Sequence, residues 1–218
     1  MIKIAIAFGV LVTATLLMKK PGMSYRQSIL KTMYPAIMWT SKGSGQKQIK
    51  SNQHAIQAPV SFYTLTGKDI NGNVFSFSTL AGKKVLLANT ASNCGFTGQY
   101  EALEKLAKQY GDKLVVIGFP SNDFKEQESA DNGEIALFCK KNYGVTFLLM
   151  EKSSVLKGKA QNEIYKWLSD TAMNGWCDQA PAWNFCKYLV NEQGMLTHYF
   201  PMTVDPLAPE VINAIGAN

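Results

Sequence analysis

Histidine is almost missing from this chain: among 218 residues only His54 and His198 occur. A zinc site would then lean on the four cysteines. Cys94, Cys139, Cys177 and Cys186 contain no C-x-x-C pair, so no metal is expected. The same unpatterned spacing excludes a small disulfide scaffold and leaves the redox compartment unread. His198 lies in an alternating run with Leu196 and Phe200, the setting of an ordinary strand residue, which makes a Cys-His nucleophile pair a weak reading. No internal repeat is evident.

Acidic residues are missing from the first 60 positions, which hold Lys3, Lys19, Lys20, Arg26, Lys31, Lys42, Lys47 and Lys50. The whole chain is +6, so residues 61–218 carry 14 basic against 16 acidic groups. The excess of positive charge therefore belongs to the N-terminal segment. The remainder has no basic footprint, which argues against a nucleic-acid partner.

The basic segment surrounds an apolar stretch, Ile4–Met18, which makes an anionic membrane surface its natural neighbour. Residues 1–22 read as an apolar leader or membrane anchor; no clear small-x-small cleavage site follows the stretch, which favours an uncleaved anchor. An exported domain is the rival, and a cytoplasmic protein starting at Met23 is the third reading. Residues 23–57 read as a basic juxtamembrane segment and linker. Within it, Tyr25–Trp39 is expected to form an interfacial helix or one that packs on the domain, kinked or ended by Pro35. The Gly-, Ser- and Gln-rich residues from Thr40 read as a linker. One domain should fill 58–218, with residues 1–57 locating it and taking no part in catalysis.

Within that domain, Val60–Leu65 and Val74–Phe77 read as a hairpin around Asn71-Gly72-Asn73. Val85–Thr90 and Leu114–Phe119 read as buried strands separated by a helix ending at Tyr110. Asn132–Tyr143 and Gln161–Thr171 read as helices, with Val145–Met150 a strand between them. Trp183–Val190 and Met195–Phe200 make a second hairpin, and Leu207–Ile215 closes the chain as a helix. This order predicts an α/β domain: a central mixed sheet with helices on both faces, as in thioredoxin-like folds.

Cys94 stands where the Val85–Thr90 strand turns into the following helix, in Ala91-Ser92-Asn93-Cys94-Gly95-Phe96-Thr97. Unpaired amides and the helix dipole near such a junction favour a thiolate, so Cys94 is a candidate nucleophile, with a small buried core residue as the bland alternative. Gly118-Phe119-Pro120-Ser121-Asn122-Asp123-Phe124 follows the second core strand, where ligand loops of open α/β sheets gather. Gln127, Trp183 and Asn184 are neutral hydrogen-bond donors, able to stabilise a thiolate without quenching it. Each alone reads blandly as an exposed, a core and a turn residue.

Together these motifs resemble the glutathione peroxidase family over essentially all of 58–218. The nucleophile motif is Asn89-Thr90-Ala91-Ser92-Asn93-Cys94-Gly95-Phe96-Thr97, followed in order by the Gly118–Phe124 loop with Gln127-Glu128 and by Trp183-Asn184-Phe185. The resemblance implies a thioredoxin-like fold and a catalytic tetrad of Cys94, Gln127, Trp183 and Asn184, with cysteine in place of selenocysteine. It also implies a resolving cysteine in the helix before Tyr143, where Cys139 lies one position early. Cys186 is a rival, since strand alternation puts it on the side of Asn184. Ser121 and Asp123 stand where the family often has Cys and Gln, and Gly98 where it commonly has Pro. The short span from Met150 to Trp183 resembles the monomeric members.

The activity implied is peroxide reduction through a Cys94 sulfenic acid in the response to oxidative stress, with glutathione or thioredoxin as reductant and no metal, flavin or haem cofactor. The alternative is a peroxide sensor that relays its oxidation to a partner protein. A non-catalytic thioredoxin-like module is a third reading, opposed by the intact set of four residues.

Overall fold

The computed structural model describes residues 22–41 and 48–216. The apolar stretch Ile4–Met18 and part of the Gly/Ser-rich linker lie outside these residues. Among the described residues the first elements are helix α1, Tyr25–Ser41, and a two-residue strand β1, Lys50–Ser51. The hairpin β2 (Thr66–Lys68) and β3 (Val74–Ser76) follows, then β4 (Lys84–Thr90), helix α2 (Gln99–Tyr110) and β5 (Leu114–Pro120). Next come α3 (Asn132–Tyr143), β6 (Leu148–Leu149), the short helices α4 (Glu163–Leu168) and α5 (Thr171–Asn174), the hairpin β7 (Lys187–Val190) and β8 (Leu196–Phe200), and α6 (Pro209–Gly216).

Six strands form one sheet in the order β1-β8-β7-β4-β5-β6. Pairing is parallel between β4 and β5 and between β5 and β6, and antiparallel at β4–β7, β7–β8 and β8–β1. All seven residues of β4 are buried, because helices and turns cover both faces of the sheet. Alternation along β4 splits the core in two. Leu86 and Ala88 face α2, α3 and α6 through Leu103, Leu106, Ile135, Phe138, Val211 and Ile215. Val85 and Leu87 face the opposite cluster of Phe62, Phe77, Tyr165, Trp167 and Tyr188. The expected α/β architecture, a mixed sheet with helices on both faces, is the observed one.

Several boundaries differ from the sequence expectation, each for a local reason. Val60–Leu65 is not a strand: Ser61 caps a 3-10 turn over Phe62–Thr64, whose Phe62 ring packs edge-on against Phe77. Pairing in this hairpin starts only at Thr66. The strand expected over Val145–Met150 shrinks to Leu148–Leu149, since the Thr146 amide and hydroxyl both donate to the Glu104 carboxylate (2.8 and 2.6 Å) rather than to a neighbouring strand. The single helix expected over Gln161–Thr171 breaks, because Asp170 accepts from the Ala172 amide and starts a new turn.

The largest difference is at the N-terminal side. The packed unit does not begin at residue 58. β1 pairs with β8, Lys50 opposite Tyr199, and Met23 is buried in the same core as α2 and α3. Helix α1 packs on the domain with one face and runs through Pro35 without ending, held by contacts on both sides of it. The Tyr34 hydroxyl donates to Asp205 at 3.0 Å, and Lys31 pairs with Glu101 at 2.8 Å. A Cβ at Gly98 would meet the Tyr34 ring at 2.4 Å, and one at Gly95 would meet Ile37 at 3.3 Å. Gly98, where the resemblance leads one to expect Pro, is thus the residue that lets α1 lie down. The opposite face of α1 leaves Tyr25, Ile29, Met33 and Trp39 exposed.

This docking makes a direct prediction. Gly98→Ala should keep the two cores but push Tyr34 off its seat, an overpacking change of about 1–3 kcal/mol. Limited proteolysis should then cut within Tyr25–Ser41 faster than in the native chain. An unchanged cleavage rate would show that α1 does not depend on this contact.

Candidate active site

The site is assembled at the C-terminal ends of β4 and β5. β4 carries no acidic or basic side chain after Lys84 and ends in Asn89-Thr90, both fully buried. Asn89 is the organising residue; the sequence reading placed it in the Cys94 motif and gave it no role of its own. Its side-chain amide donates to the Trp183 carbonyl (3.0 Å), its side-chain oxygen accepts from the Cys186 amide (3.0 Å), and its backbone carbonyl accepts from the Phe185 amide (2.6 Å). These bonds clamp Trp183-Asn184-Phe185 to the end of the central strand. Phe185 adopts a left-handed conformation (φ 68°), a strained geometry that such a clamp can hold in place.

Beyond β4 the chain turns through Ala91–Gly98 before α2 starts. Cys94 therefore does not cap a helix: α2 begins at Gln99. The turn is held internally, with the Thr97 hydroxyl accepting from the Cys94 amide (3.1 Å) and lying within hydrogen-bond distance of the Ala91 and Cys94 carbonyls (2.8 and 2.7 Å). The Cys94 sulfur accepts from the Phe96 amide at 3.4 Å. Burial raises the Cys94 pKa; the Phe96 amide and, less strongly, the side chains of Trp183 and Asn184 oppose that rise. The expected helix-dipole effect is thus replaced by directed donors, and in the resting state burial outweighs them.

The remaining predicted residue joins from the loop after β5. Gln127 is buried; its side-chain oxygen accepts from the Asn184 side chain at 3.0 Å, and its backbone carbonyl accepts from the Asn93 amide at 3.0 Å. The loop that presents it has two residues with positive φ, Lys125 and Glu126, both at 53°. The structure therefore brings Cys94, Gln127, Trp183 and Asn184 together from three separate segments. The side-chain oxygen of Asn184 is buried and has no hydrogen-bond partner among the described residues. It is an open acceptor on a side chain that acts on Cys94, suited to the O–H of a hydroperoxide.

Glu128 is a second residue that the sequence reasoning named in a motif without assigning it a role. Its carboxyl accepts from both the amide and the hydroxyl of Ser92 (2.8 and 3.0 Å), tying the Gln127 loop to the Cys94 turn. Burial pushes its pKa up to about 7, against the Ser92 bonds that lower it. A carboxyl directly after Gln127 was the only signal available, and nothing in the sequence showed that it points inward.

Cys139, the predicted resolving residue, is buried on α3 in the same core cluster as Cys94. All four cysteines are free thiols. Burial pushes the Cys139 thiol up to about 12, with the Tyr100 hydroxyl opposing the rise. The rival Cys186 packs in the other core, where its sulfur accepts from the Tyr199 hydroxyl at 3.3 Å. Cys177 lies in that second core too. Among the described residues no three His, Cys, Asp or Glu side chains cluster as metal ligands.

The glutathione peroxidase family profile matches residues 62–169. The glutathione peroxidase-like peroxiredoxin GPX5 of Chlamydomonas reinhardtii is 42% identical over 159 residues, 72% of this chain and 97% of that protein. The glutathione peroxidase-like peroxiredoxin gpx1 of Schizosaccharomyces pombe is 44% identical over 146 residues, 66% of this chain and 91% of that protein. The crystal structure of Trgpx in its apo form superposes with a TM-score of 0.54 at 33% identity, over 72% of this chain and 97% of that one.

Two predictions follow from the geometry. Asn184→Ala and Trp183→Phe should each slow Cys94 oxidation by roughly tenfold to a thousandfold, the scale of losing one charge-stabilising donor. Both donors lower the Cys94 pKa, so their removal raises it, and the loss should be greatest at low pH and shrink as pH increases. Stopped-flow oxidation at several pH values checks this; native rates throughout would leave both residues a packing role only. For Glu128 the folded pKa lies above the unfolded one, so its stabilising effect is complete below about pH 4.5 and is lost as pH rises through about 7. Glu128→Gln keeps an acceptor for Ser92 and cannot titrate. Urea unfolding between these pH values should show a flatter stability profile for the variant than for the native chain.

Proposed function

The chain belongs to the glutathione peroxidase family and is a thiol-dependent peroxidase, and we propose that it works through the tetrad Cys94, Gln127, Trp183 and Asn184 with Cys139 as resolving residue. The observation that carries the residue assignment is the convergence on one sulfur: the Phe96 amide, Trp183 and Asn184 all act on Cys94, and Asn184 is itself held by Gln127.

In the first step the Cys94 thiolate attacks one peroxide oxygen. The S–O bond forms as the O–O bond breaks, leaving Cys94 as a sulfenic acid and the second oxygen as hydroxide or alkoxide, which takes up a proton and departs as water or an alcohol. The indole N–H of Trp183 and the amide of Asn184 stabilise the anionic sulfur and the leaving oxygen, while the free acceptor of Asn184 orients the peroxide. In the second step the Cys139 thiol attacks the sulfenic sulfur, forming a disulfide and releasing water. An external dithiol of the thioredoxin type then reduces that disulfide; glutathione attacking the sulfenic acid directly is the alternative route.

The N-terminal segment supports a location at an anionic membrane surface. Residues 1–60 hold eight basic and no acidic groups, and the outward face of α1 presents Tyr25, Ile29, Met33 and Trp39. No helix among the described residues is long and apolar enough to cross a membrane. The short span from Met150 to Trp183 supports a monomer. Sedimentation of the full chain with anionic but not with zwitterionic vesicles is the expected result for the membrane reading.

For the chemistry, Cys94→Ser should abolish peroxidase activity while the fold survives, and Cys177→Ser should be close to neutral. After one equivalent of peroxide, peptide mapping should find a Cys94–Cys139 disulfide. A persistent sulfenic acid, or a mixed disulfide with glutathione alone, would overturn the internal route.

A further inference from the structure

α1 lies N-terminal to the part of the chain that the family profile matches, and it touches both halves of the proposed redox pair. On one side Ile37 and Tyr34 pack over Gly95 and Gly98 of the Cys94 turn. On the other, Lys31 reaches the C-terminal turn of α3, the helix that bears Cys139. Its ammonium donates to the Asn142 carbonyl at 3.2 Å, sits 4.4 Å from the centroid of the Tyr143 ring, and pairs with Glu101 of α2 at 2.8 Å. The last carbonyls of a helix have no partner within it, and a cation placed there favours the wound state. The Lys31 side chain is only 19% exposed, so this contact is partly shielded from water.

The resting structure does not join the two thiols. The groups acting on the Cys94 sulfur are Phe96, Trp183, Asn184 and, by charge, Cys186. Cys139 is wound into α3, its carbonyl accepting from the Gly144 and Val145 amides, and its thiol is buried. A disulfide needs Cα atoms within about 7 Å and correctly directed side chains. Bringing the two sulfurs together would move the Cys94 turn, the C-terminal end of α3, or both, and either movement would disturb contacts with α1.

We propose that α1 is a latch on the resolving step: Lys31, acting through the end of α3, sets how long Cys94 remains a sulfenic acid before Cys139 captures it. This rests on Cys139 being the resolving residue. The step is balanced as Cys94–SOH plus Cys139–SH giving the disulfide and water, with peroxide as the prior oxidant. Lys31 is a positioning residue in it and never touches the reacting atoms. One consequence is a longer-lived sulfenic acid, which a second peroxide can carry to sulfinic acid.

The test is a quenched-flow single turnover of the full chain with one equivalent of hydrogen peroxide, followed by alkylation and mass spectrometry. Lys31→Ala should leave the rate of sulfenic acid formation within about twofold and speed the Cys94–Cys139 disulfide by about two- to tenfold, the scale of one cation at a helix C-terminus. It should also lower the sulfinic fraction at excess peroxide. Lys31→Arg, which keeps the cation, should resemble the native chain, and the Lys31→Ala effect should vanish when Cys139→Ser is added. Equal disulfide rates in the native and Lys31→Ala chains overturn the latch and leave the role of Cys139 standing. No Cys94–Cys139 disulfide in either chain overturns the resolving role and the latch with it.

Discussion

The clamp at Asn89 is the constraint on which the site depends. An amide side chain buried at the end of the central strand must find partners for its nitrogen and its oxygen inside the protein. It does so on the backbone of residues 183 and 186, while its own carbonyl takes the Phe185 amide. Trp183 and Asn184 are thereby held over the end of β4, and Asn184 in turn fixes the side chain of Gln127. Loss of any one of these bonds would leave a buried polar group unpaired, so the three segments of the site stand or fall together.

The same economy governs the electrostatics around Cys94. A thiolate in a buried position is costly, and burial does raise the Cys94 pKa. The opposing donors are neutral, which lowers the cost of the anion without forming an ion pair that would blunt its attack. The buried carboxyl of Glu128 sits one residue from Gln127 but spends its hydrogen bonds on Ser92. It acts on the backbone of the Cys94 turn, and burial pushes its pKa up to about 7, so its charge near neutral pH is reduced.

Helix α1 changes what the N-terminal segment means. Apolar residues on both of its faces account for its weak amphipathic pattern: Tyr34 and Ile37 lie on the domain while Tyr25, Ile29, Met33 and Trp39 look outward. The domain-facing side reaches the Cys94 turn and the end of α3 together. An element that the charge pattern assigned to location is therefore in mechanical contact with the catalytic apparatus.

Much of this was legible in the chain itself. Two continuous apolar runs separated by a helical period are the mark of parallel strands covered on both faces, and β4, α2, β5 and α3 appear where those patterns lie. Ordered motifs around Cys94, Gln127 and Trp183-Asn184 identified the family, because their residue types suit one chemistry. What only the tertiary structure decided is every relation that depends on side-chain direction across distant segments. Asn89 and Glu128 stood in the recognised motifs without a role of their own, and Gly98 stood where the resemblance leads one to expect proline. Each acquired its role from a partner at least 36 residues away: the Cys186 amide for Asn89, Ser92 for Glu128, the Tyr34 ring for Gly98. Periodicity reports which face of an element is buried; it carries no information on which distant group the buried atom meets.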